Sequence, residues 1–232
     1  MARTISERLG FVDLSIQMSD RSDGSLRVTE PSFPSNLDRF LSDTAGLTWL
    51  RQVHGDRIIT VEQPGQFSGA EADGAFTTEI GPALAISSAD CAPVVIAASD
   101  GPNTALAMVH AGWRGLLAGI VEKGCQMVLD AVPDGTRLAY CGPCIGPDSY
   151  EFSGADLVPL AERYGDAVRS RTESGTESLD LFAGVALALV RSGFRPPPRP
   201  PSTADPQYFS HRTGGDDRSS GRMLTVARLL HT

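Results

Sequence analysis

This 232-residue chain has no apolar run long enough to span a bilayer. Its N-terminus lacks the basic region, apolar run and small-residue cleavage site of a secretory signal. Positive charge is also scarce, because 20 Lys and Arg residues face 28 Asp and Glu residues, giving a net charge of -8. Proteins that grip phosphate backbones need clustered basic residues. We therefore expect a cytoplasmic protein that binds neither membranes nor nucleic acid.

Cysteine is sparse as well, with four residues in the whole chain. A chain of this size without a secretory signal does not need a disulfide framework, so we expect reduced thiols. The 41% apolar content is ordinary for a globular protein, and the length suits one domain over residues 1–232. We find no internal repeat, and we expect a monomer.

The first half of the chain is dominated by strand patterns. Alternating apolar residues from Phe11 to Met18 predict a strand, and Ser35 before the apolar Leu37 predicts a short capped helix. From Leu47 to His110, runs rich in Val, Ile and Ala alternate with Gly, Asp and Pro turns. This pattern predicts successive strands of a central sheet.

The second half shows helical spacing. Apolar residues from Leu117 to Val128 recur at intervals of three, four and seven, which predicts a helix packed on the sheet. The segments ADLVPLAERYG and LDLFAGVALALVRSG predict two more helices, and RLAYC predicts a strand. The run RPPPRPP at residues 195–201 predicts an extended connector, and GRMLTVARLL predicts a final strand that returns to the sheet.

Two of the four histidines lie where a predicted strand meets a glycine turn. His54 lies in QVHG and His110 in VHAGWRG. A strand end holds a side chain rigidly while glycine lets the backbone turn away, which suits a residue that points into a pocket. Either histidine alone could equally bond to a neighbouring loop.

Cys91 lies at a third junction of this kind, in SADCAP, where the following proline interrupts regular backbone pairing. With His54 and His110 it supplies two imidazoles and one thiolate. This ligand set suits zinc and leaves the fourth tetrahedral position open for water or substrate. Two alternatives remain: a buried inert cysteine, or a metal-free nucleophile, Cys91, activated by His110 as its base.

The sequence CGPC at Cys141 and Cys144 resembles a thioredoxin-type redox motif. In that chemistry the first thiolate is stabilised at the start of a helix. Here the continuation, IGPD, contains Gly and Pro and predicts a turn. We therefore favour neither a redox role nor a structural zinc site for this pair.

Several polar residues flank the three junctions. Asp73 and Asp90 are candidates for a hydrogen bond to a ligand histidine or for proton transfer, although both could simply cap turns. Arginine can hold a carboxylate or phosphate in a two-pronged geometry. The candidate substrate-binding residues are Arg51, Gln52, Arg114, Arg212 and Arg222.

Together these segments resemble the YfiH or laccase-domain family. Its members are also labelled polyphenol oxidase, purine nucleoside phosphorylase-like or peptidoglycan editing factor. The resemblance rests on QVHG, ADG, SADCAP, VHAGWRG, GPCIGPDSYEF, YFSHR and GRM. It is specific over residues 47–152 and looser over residues 207–229.

The resemblance implies a single α/β (α+β) domain built as a four-layer α/β/β/α sandwich. It implies one metal on His54, Cys91 and His110, with zinc favoured and copper as the alternative. The family's reported activities are purine nucleoside phosphorolysis, adenosine deamination, phenol oxidation with copper, and removal of L-Ser from a UDP-muramyl cell-wall precursor. Multicopper oxidation relies on many histidines, and this chain has four.

We therefore expect a zinc-dependent transferase or hydrolase that acts on purine nucleosides, with phosphate as a second substrate. A peptidoglycan editing hydrolase acting on the muramyl precursor and a metal-binding module without catalysis are the alternatives. The chain also departs from the family pattern. LSIQMSDRSDGSLRV lacks the usual Thr-Thr-Arg segment, Thr213 replaces a familiar second arginine, and Ser202 stands where cysteine is common. These departures predict retained metal binding with altered substrate choice.

Overall fold

A computed structural model describes residues 3–215 and 221–231, and it contains two five-stranded sheets flanked by helices. The strands are β1 (Arg3–Leu9), β2 (Val12–Met18), β3 (Leu47–Trp49), β4 (Ile58–Thr60), β5 (Gly74–Thr77), β6 (Ala83–Ser88), β7 (Ala92–Ser99), β8 (Thr104–Ala111), β9 (Thr136–Cys141), β10 (Arg169–Arg171), β11 (Glu177–Leu179) and β12 (Met223–His231). The α-helices are α1 (Phe33–Phe40), α2 (Trp113–Ala118), α3 (Ile120–Ala131), α4 (Gly154–Tyr164) and α5 (Leu181–Arg191).

The first sheet has the strand order β1-β2-β12-β6-β3. β2 alternates buried and half-buried residues along its length, as expected of a strand with one face on a core. The C-terminal strand β12 inserts antiparallel between β2 and β6, so that Ala227 pairs with both Ile16 and Leu84. The predicted return of the final strand to the sheet is confirmed.

The second sheet has the order β4-β5-β8-β7-β9. All eight residues of β7 and all eight of β8 are buried, which explains their continuous apolar runs. Fully burying one Val or Ile side chain contributes about 1.5–3 kcal/mol. Antiparallel pairing of Pro93 with His110 brings the start of β7 to the end of β8. This register places Cys91 beside the turn that follows His110.

Three cores separate four layers. One core lies between the sheets and includes Leu14, Ile86, Val95, Leu106 and Met108. The outer face of the second sheet packs on α2 to α5, and the outer face of the first sheet packs on α1. The expected α/β/β/α arrangement is confirmed.

The sequence patterns were less accurate at element ends. The predicted helix after Gly112 is two helices, because Gly119 takes a left-handed conformation, φ 88°, between α2 and α3. The predicted cap at Ser35 is wrong: α1 begins at Phe33, after Ser32, with a proline in its first turn. Strands β1, β5, β10 and β11 were not predicted.

The described residues 195–201, predicted to be an extended connector, form neither helix nor strand and lead from α5 towards Ser202. No helix in the described ranges is long and apolar enough to cross a membrane. Residues 216–220, within the glycine-rich stretch before Arg222, lie outside the described residues. The single-domain assignment of residues 1–232 remains a prediction.

Candidate metal centre and its pocket

The loop after β3 is folded around one carboxylate. Asp73 Oδ2 accepts the backbone N–H groups of Val53 at 3.1 Å and Gly55 at 2.7 Å, and Oδ1 accepts that of His54 at 2.8 Å. His54 has a positive φ of 62°, a conformation that non-glycine residues rarely adopt. The buried Asp73 therefore holds His54 in place by charge-assisted hydrogen bonds.

Asp73 also orients the second histidine. It directly precedes β5, whose Gly74 pairs with Val109 of β8, so it lies beside His110. The His110 Nδ1 atom lies 2.9 Å from Asp73 Oδ1. A hydrogen bond donated by Nδ1 leaves Nε2 with its lone pair free to bind a metal.

Cys91 completes the cluster. The donor atoms of His54, Cys91 and His110 all lie within 4.8 Å of one another, so one ion could contact all three after small side-chain adjustments. The two imidazole rings meet edge to face, with centroids 4.9 Å apart. Gly112 makes room for this packing, because a Cβ there would lie 2.9 Å from Cys91 Sγ.

The donor set fits zinc. One thiolate and two imidazoles leave a fourth position, and His54 is exposed while Cys91 is half-buried and His110 is buried. The cluster is thus reachable from one side only. The buried Asp73 behind it is the carboxylate partner that metal-binding histidines commonly have.

The metal-free cluster is an ion pair. Burial alone would raise the pKa of Cys91, but the charge and hydrogen bond of His110, with help from His54, lower it from 9.0 to about 6. Burial alone would lower the pKa of His110, but Cys91 and Asp73 raise it from 6.5 to about 9. Burial would likewise raise the pKa of Asp73, and hydrogen bonds from His110, Gly55 and Val53 lower it instead.

Asp90 ties a distant loop to Cys91. Its Oδ1 accepts hydrogen bonds from Thr203 Oγ1 at 2.6 Å and Ser210 Oγ at 2.7 Å, and its Oδ2 accepts the Arg212 backbone N–H at 2.8 Å. Asp90 has a positive φ of 91°. These three hydrogen bonds tie the loop at residues 203–212 to the residue next to Cys91, and a catalytic role for Asp90 remains a prediction.

The cluster opens into a pocket of about 550 Å³. Five arginines line it: Arg27, Arg51, Arg114, Arg212 and Arg222. Asp90 is the one acidic residue in its lining among the described residues, and Asp90 already accepts three hydrogen bonds. The pocket is therefore cationic in a chain whose net charge is -8.

The predicted substrate-binding residues all reach this pocket, with different local partners. Arg51 pairs with Glu71 at 2.7 Å, and the Gln52 amide exchanges two hydrogen bonds with the Ser87 backbone. The Arg114 guanidinium lies over the Trp113 ring, 4.5 Å from its centroid. Their roles towards a substrate remain predictions.

The last two predicted arginines reach the pocket from the C-terminal part of the chain. Arg212 lies 5.1 Å from the Tyr150 ring centroid and donates to the Glu151 carbonyl. Arg222 donates to the Gly221 carbonyl, and its own carbonyl accepts the Leu26 N–H at 2.9 Å. That backbone bond holds the N-terminal segment LSIQMSDRSDGSLRV, which contains Leu26, beside Arg222.

Sequence reasoning missed several lining residues: Arg27, Val28, Thr29, Trp113, Tyr150 and His211. Three of them come from the atypical N-terminal segment or directly follow it. The departure from the family pattern thus falls on the pocket wall. Tyr150 lies inside GPDSYEF, a segment noted only as part of the resemblance.

The remaining departures have structural roles. Ser202 Oγ accepts the Gly146 N–H at 3.1 Å, and Thr213 Oγ1 lies 3.0 Å from Ser210 Oγ. Cys141 and Cys144 are both buried, and a short 3-10 helix, Pro147–Ser149, follows them. A hydrogen bond with Cys144 and burial raise the pKa of Cys141, the opposite of what a redox thiol needs.

An α/β/β/α fold with a His–Cys–His cluster in an arginine-lined pocket defines a candidate metalloprotein. A family model described as "Multi-copper polyphenol oxidoreductase laccase" matches residues 22–230, and the chain belongs to this family. The YfiH-like resemblance is confirmed by these comparisons.

Among relatives, the purine nucleoside phosphorylase of Xylella fastidiosa strain Temecula1 is 37% identical over 190 residues, covering 77% of this chain and 70% of the relative. Purine nucleoside phosphorylase YfiH of Escherichia coli K12 is 30% identical over 191 residues, covering 78% and 73%. The solved Neisseria meningitidis protein NMB0706 has a TM-score of 0.81 at 23% identity and covers 99% of both chains. That likeness shows the fold.

Proposed function

We propose that this chain is a zinc-dependent enzyme that cleaves purine nucleosides with phosphate and also deaminates adenosine. The observation that carries the proposal is the cationic pocket around the cluster: its described lining holds five arginines, of which Arg51 is paired with Glu71, and one carboxylate, that of Asp90. A small anion such as phosphate is the ligand that suits such a pocket. The names of the relatives support the same substrate class.

In phosphorolysis the bond between the purine nitrogen and ribose C1′ breaks, and a phosphate oxygen bonds to that carbon. The leaving purine keeps the electron pair and gains the proton that hydrogen phosphate carried. Arg114 and Arg212 would hold phosphate beside the cluster. Phosphate and nucleoside would then react within one enzyme complex rather than after a chance encounter. Their local contacts with Trp113 and Tyr150 limit the freedom of both side chains.

Deamination consumes water and releases ammonia. When bound on His54, Cys91 and His110, zinc supplies Lewis-acid chemistry that activates water at neutral pH. Copper is the alternative metal for the same donor set. Asp73 keeps the His110 ring in the tautomer that this role needs.

The experiment is turnover by zinc-loaded protein. Inosine with phosphate should yield hypoxanthine and ribose 1-phosphate, whereas adenosine without phosphate should yield inosine and ammonia. Arg114→Ala should raise KM for phosphate roughly 10–100-fold, the effect of one lost hydrogen bond to a charged group. Arg195→Ala, an exposed arginine in the connector, is the matched control.

Two results would contradict the proposal. One is the absence of turnover of both nucleosides by protein that contains stoichiometric zinc. The other is hypoxanthine release that depends on neither phosphate nor Arg114. In the second case the arginines would have no part in the reaction.

A further inference from the structure

Tyr150 lines the pocket, but the roles proposed so far for the His–Cys–His cluster and the arginines give it no function. It follows the short 3-10 helix and is 7% exposed. Its backbone is held on both sides, since its N–H donates to the Pro147 carbonyl and its carbonyl accepts the Leu179 N–H. It lines the same pocket as Cys91 and Arg212.

The ring of Tyr150 is fixed by its neighbours. Phe152 meets it edge to face at 5.4 Å, and Arg212 lies over it at 5.1 Å. A ring held in this way loses little conformational freedom when a ligand arrives. The hydroxyl is therefore presented at one defined place.

That hydroxyl has no hydrogen-bond partner within the described part of the chain, yet it is not sealed from solvent. Tyr164 shows the usual behaviour, because its hydroxyl lies 2.7 Å from the Leu116 carbonyl and 2.9 Å from Glu122. Tyrosine hydroxyls in largely buried side chains normally have a partner. At Tyr150 the missing partner is best supplied by a ligand in the pocket.

The surroundings make this hydroxyl a donor. A tyrosine of ordinary pKa, about 10, is protonated at neutral pH. Burial raises the pKa of Tyr150 further, against the opposing effect of Arg212. The neutral phenol can donate a hydrogen bond to a group that is gaining negative charge.

We propose that Tyr150 Oη donates a hydrogen bond to the purine ring as it leaves the ribose, which makes Tyr150 a catalytic residue. This inference rests on the proposed phosphorolysis. The C1′–N9 bond breaks, its electron pair moves into the purine, and phosphate bonds to C1′. Tyr150 keeps its proton throughout, since the purine's new proton comes from hydrogen phosphate.

The test compares wild type, Tyr150→Phe and the matched control Tyr140→Phe as zinc-loaded proteins. Tyr140 lies on β9, half-buried against the core between the sheets. The Phe variant at position 150 keeps the ring contacts, so zinc content should be unchanged. Its kcat/KM for inosine should fall roughly 10–100-fold, and hypoxanthine should bind about two- to tenfold more weakly by calorimetry.

A second substrate separates donation from simple packing. The base of 7-methylguanosine already carries a positive charge and needs no donor when it leaves. Wild type and Tyr150→Phe should therefore cleave it at nearly equal rates. A purely structural role for Tyr150 would slow both nucleosides alike, and that result would overturn the inference.

The outcomes also separate this inference from the proposed function. An active wild type with equally active Tyr150→Phe on inosine overturns the role of Tyr150 alone. A zinc-loaded wild type that cleaves no nucleoside overturns both. A selective loss on inosine, with Tyr140→Phe unchanged, supports both.

Discussion

Replacing Asp73 with Asn tests how the ligand loop is held. Asp73 accepts four N–H donors, three from the backbone of residues 53–55 and one from the His110 ring. Asparagine has a single carbonyl oxygen, so it can keep one pair of these bonds and must turn its NH2 group towards the other pair. With the NH2 group towards His110 the His54 N–H loses its acceptor, and in the other orientation the N–H groups of Val53 and Gly55 lose theirs.

The magnitude follows from that count. An unsatisfied buried donor costs about 1–3 kcal/mol, so the loss of one or two acceptors should lower the free energy of unfolding of the metal-free protein by about 1–6 kcal/mol. If the NH2 group faces His110, the ring must accept rather than donate at Nδ1, and its proton then occupies the metal-binding nitrogen. Loss of such a partner typically weakens metal binding 10–100-fold, or about 1.4–2.7 kcal/mol.

Two assays check this prediction. Urea denaturation gives the free energy of unfolding, and competition with a chromophoric chelator gives zinc affinity. Asp56→Asn is the control, because it makes the same chemical change at an exposed partner of Lys123, where about 0–1 kcal/mol is expected. If the Asp73 variant behaved like the Asp56 variant in both assays, the account of the loop would be refuted.

Three further predictions concern the same site. Gly112→Ala should weaken zinc binding at least about tenfold, because the new Cβ would crowd Cys91. Gly55→Ala, whose Cβ meets only ordinary contacts, should leave zinc affinity unchanged. Equal zinc affinities of the two variants would contradict this prediction. In metal-free protein, iodoacetamide should alkylate Cys91 with a midpoint of about pH 6. The ion pair between Cys91 and His110, and the stability that it adds, should be lost as pH falls below about 6 or rises above about 9. An alkylation midpoint near pH 9 would argue against the pair. Asp90→Ala removes three hydrogen bonds from the loop at residues 203–212 and should speed its proteolysis in native buffer, with unchanged cleavage as the contrary result.

The metal cluster could be predicted because its signals are local. Each ligand stands where an apolar run ends in Gly or Pro. His54 follows β3 of the first sheet, Cys91 lies between β6 and β7, and His110 lies in β8 of the second sheet. The register of β7 on β8 then brings Cys91 to His110, as the pairing of Pro93 with His110 shows. The arginines of the motifs were predicted in the same way, from nearness in sequence to a ligand.

The rest depends on contacts between residues far apart in the chain. Asp73 bonds to His110 across 37 positions, and Asp90 bonds to Ser210 across 120. Composition and spacing carry no information about which donors will surround a carboxylate. Arg27 lines the pocket on a segment whose Leu26 N–H bonds to the distant Arg222 carbonyl. Short strands such as β5 lack enough residues to show a period.

The most direct test of the account is the metal content of protein purified without added metal. We predict one zinc per chain by elemental analysis in wild type, little or none in Cys91→Ala, and wild-type content in the buried-thiol control Cys125→Ala. Zinc-free wild type that takes up none on addition, or zinc retained in full by Cys91→Ala, would contradict the assignment of His54, Cys91 and His110 as the metal site.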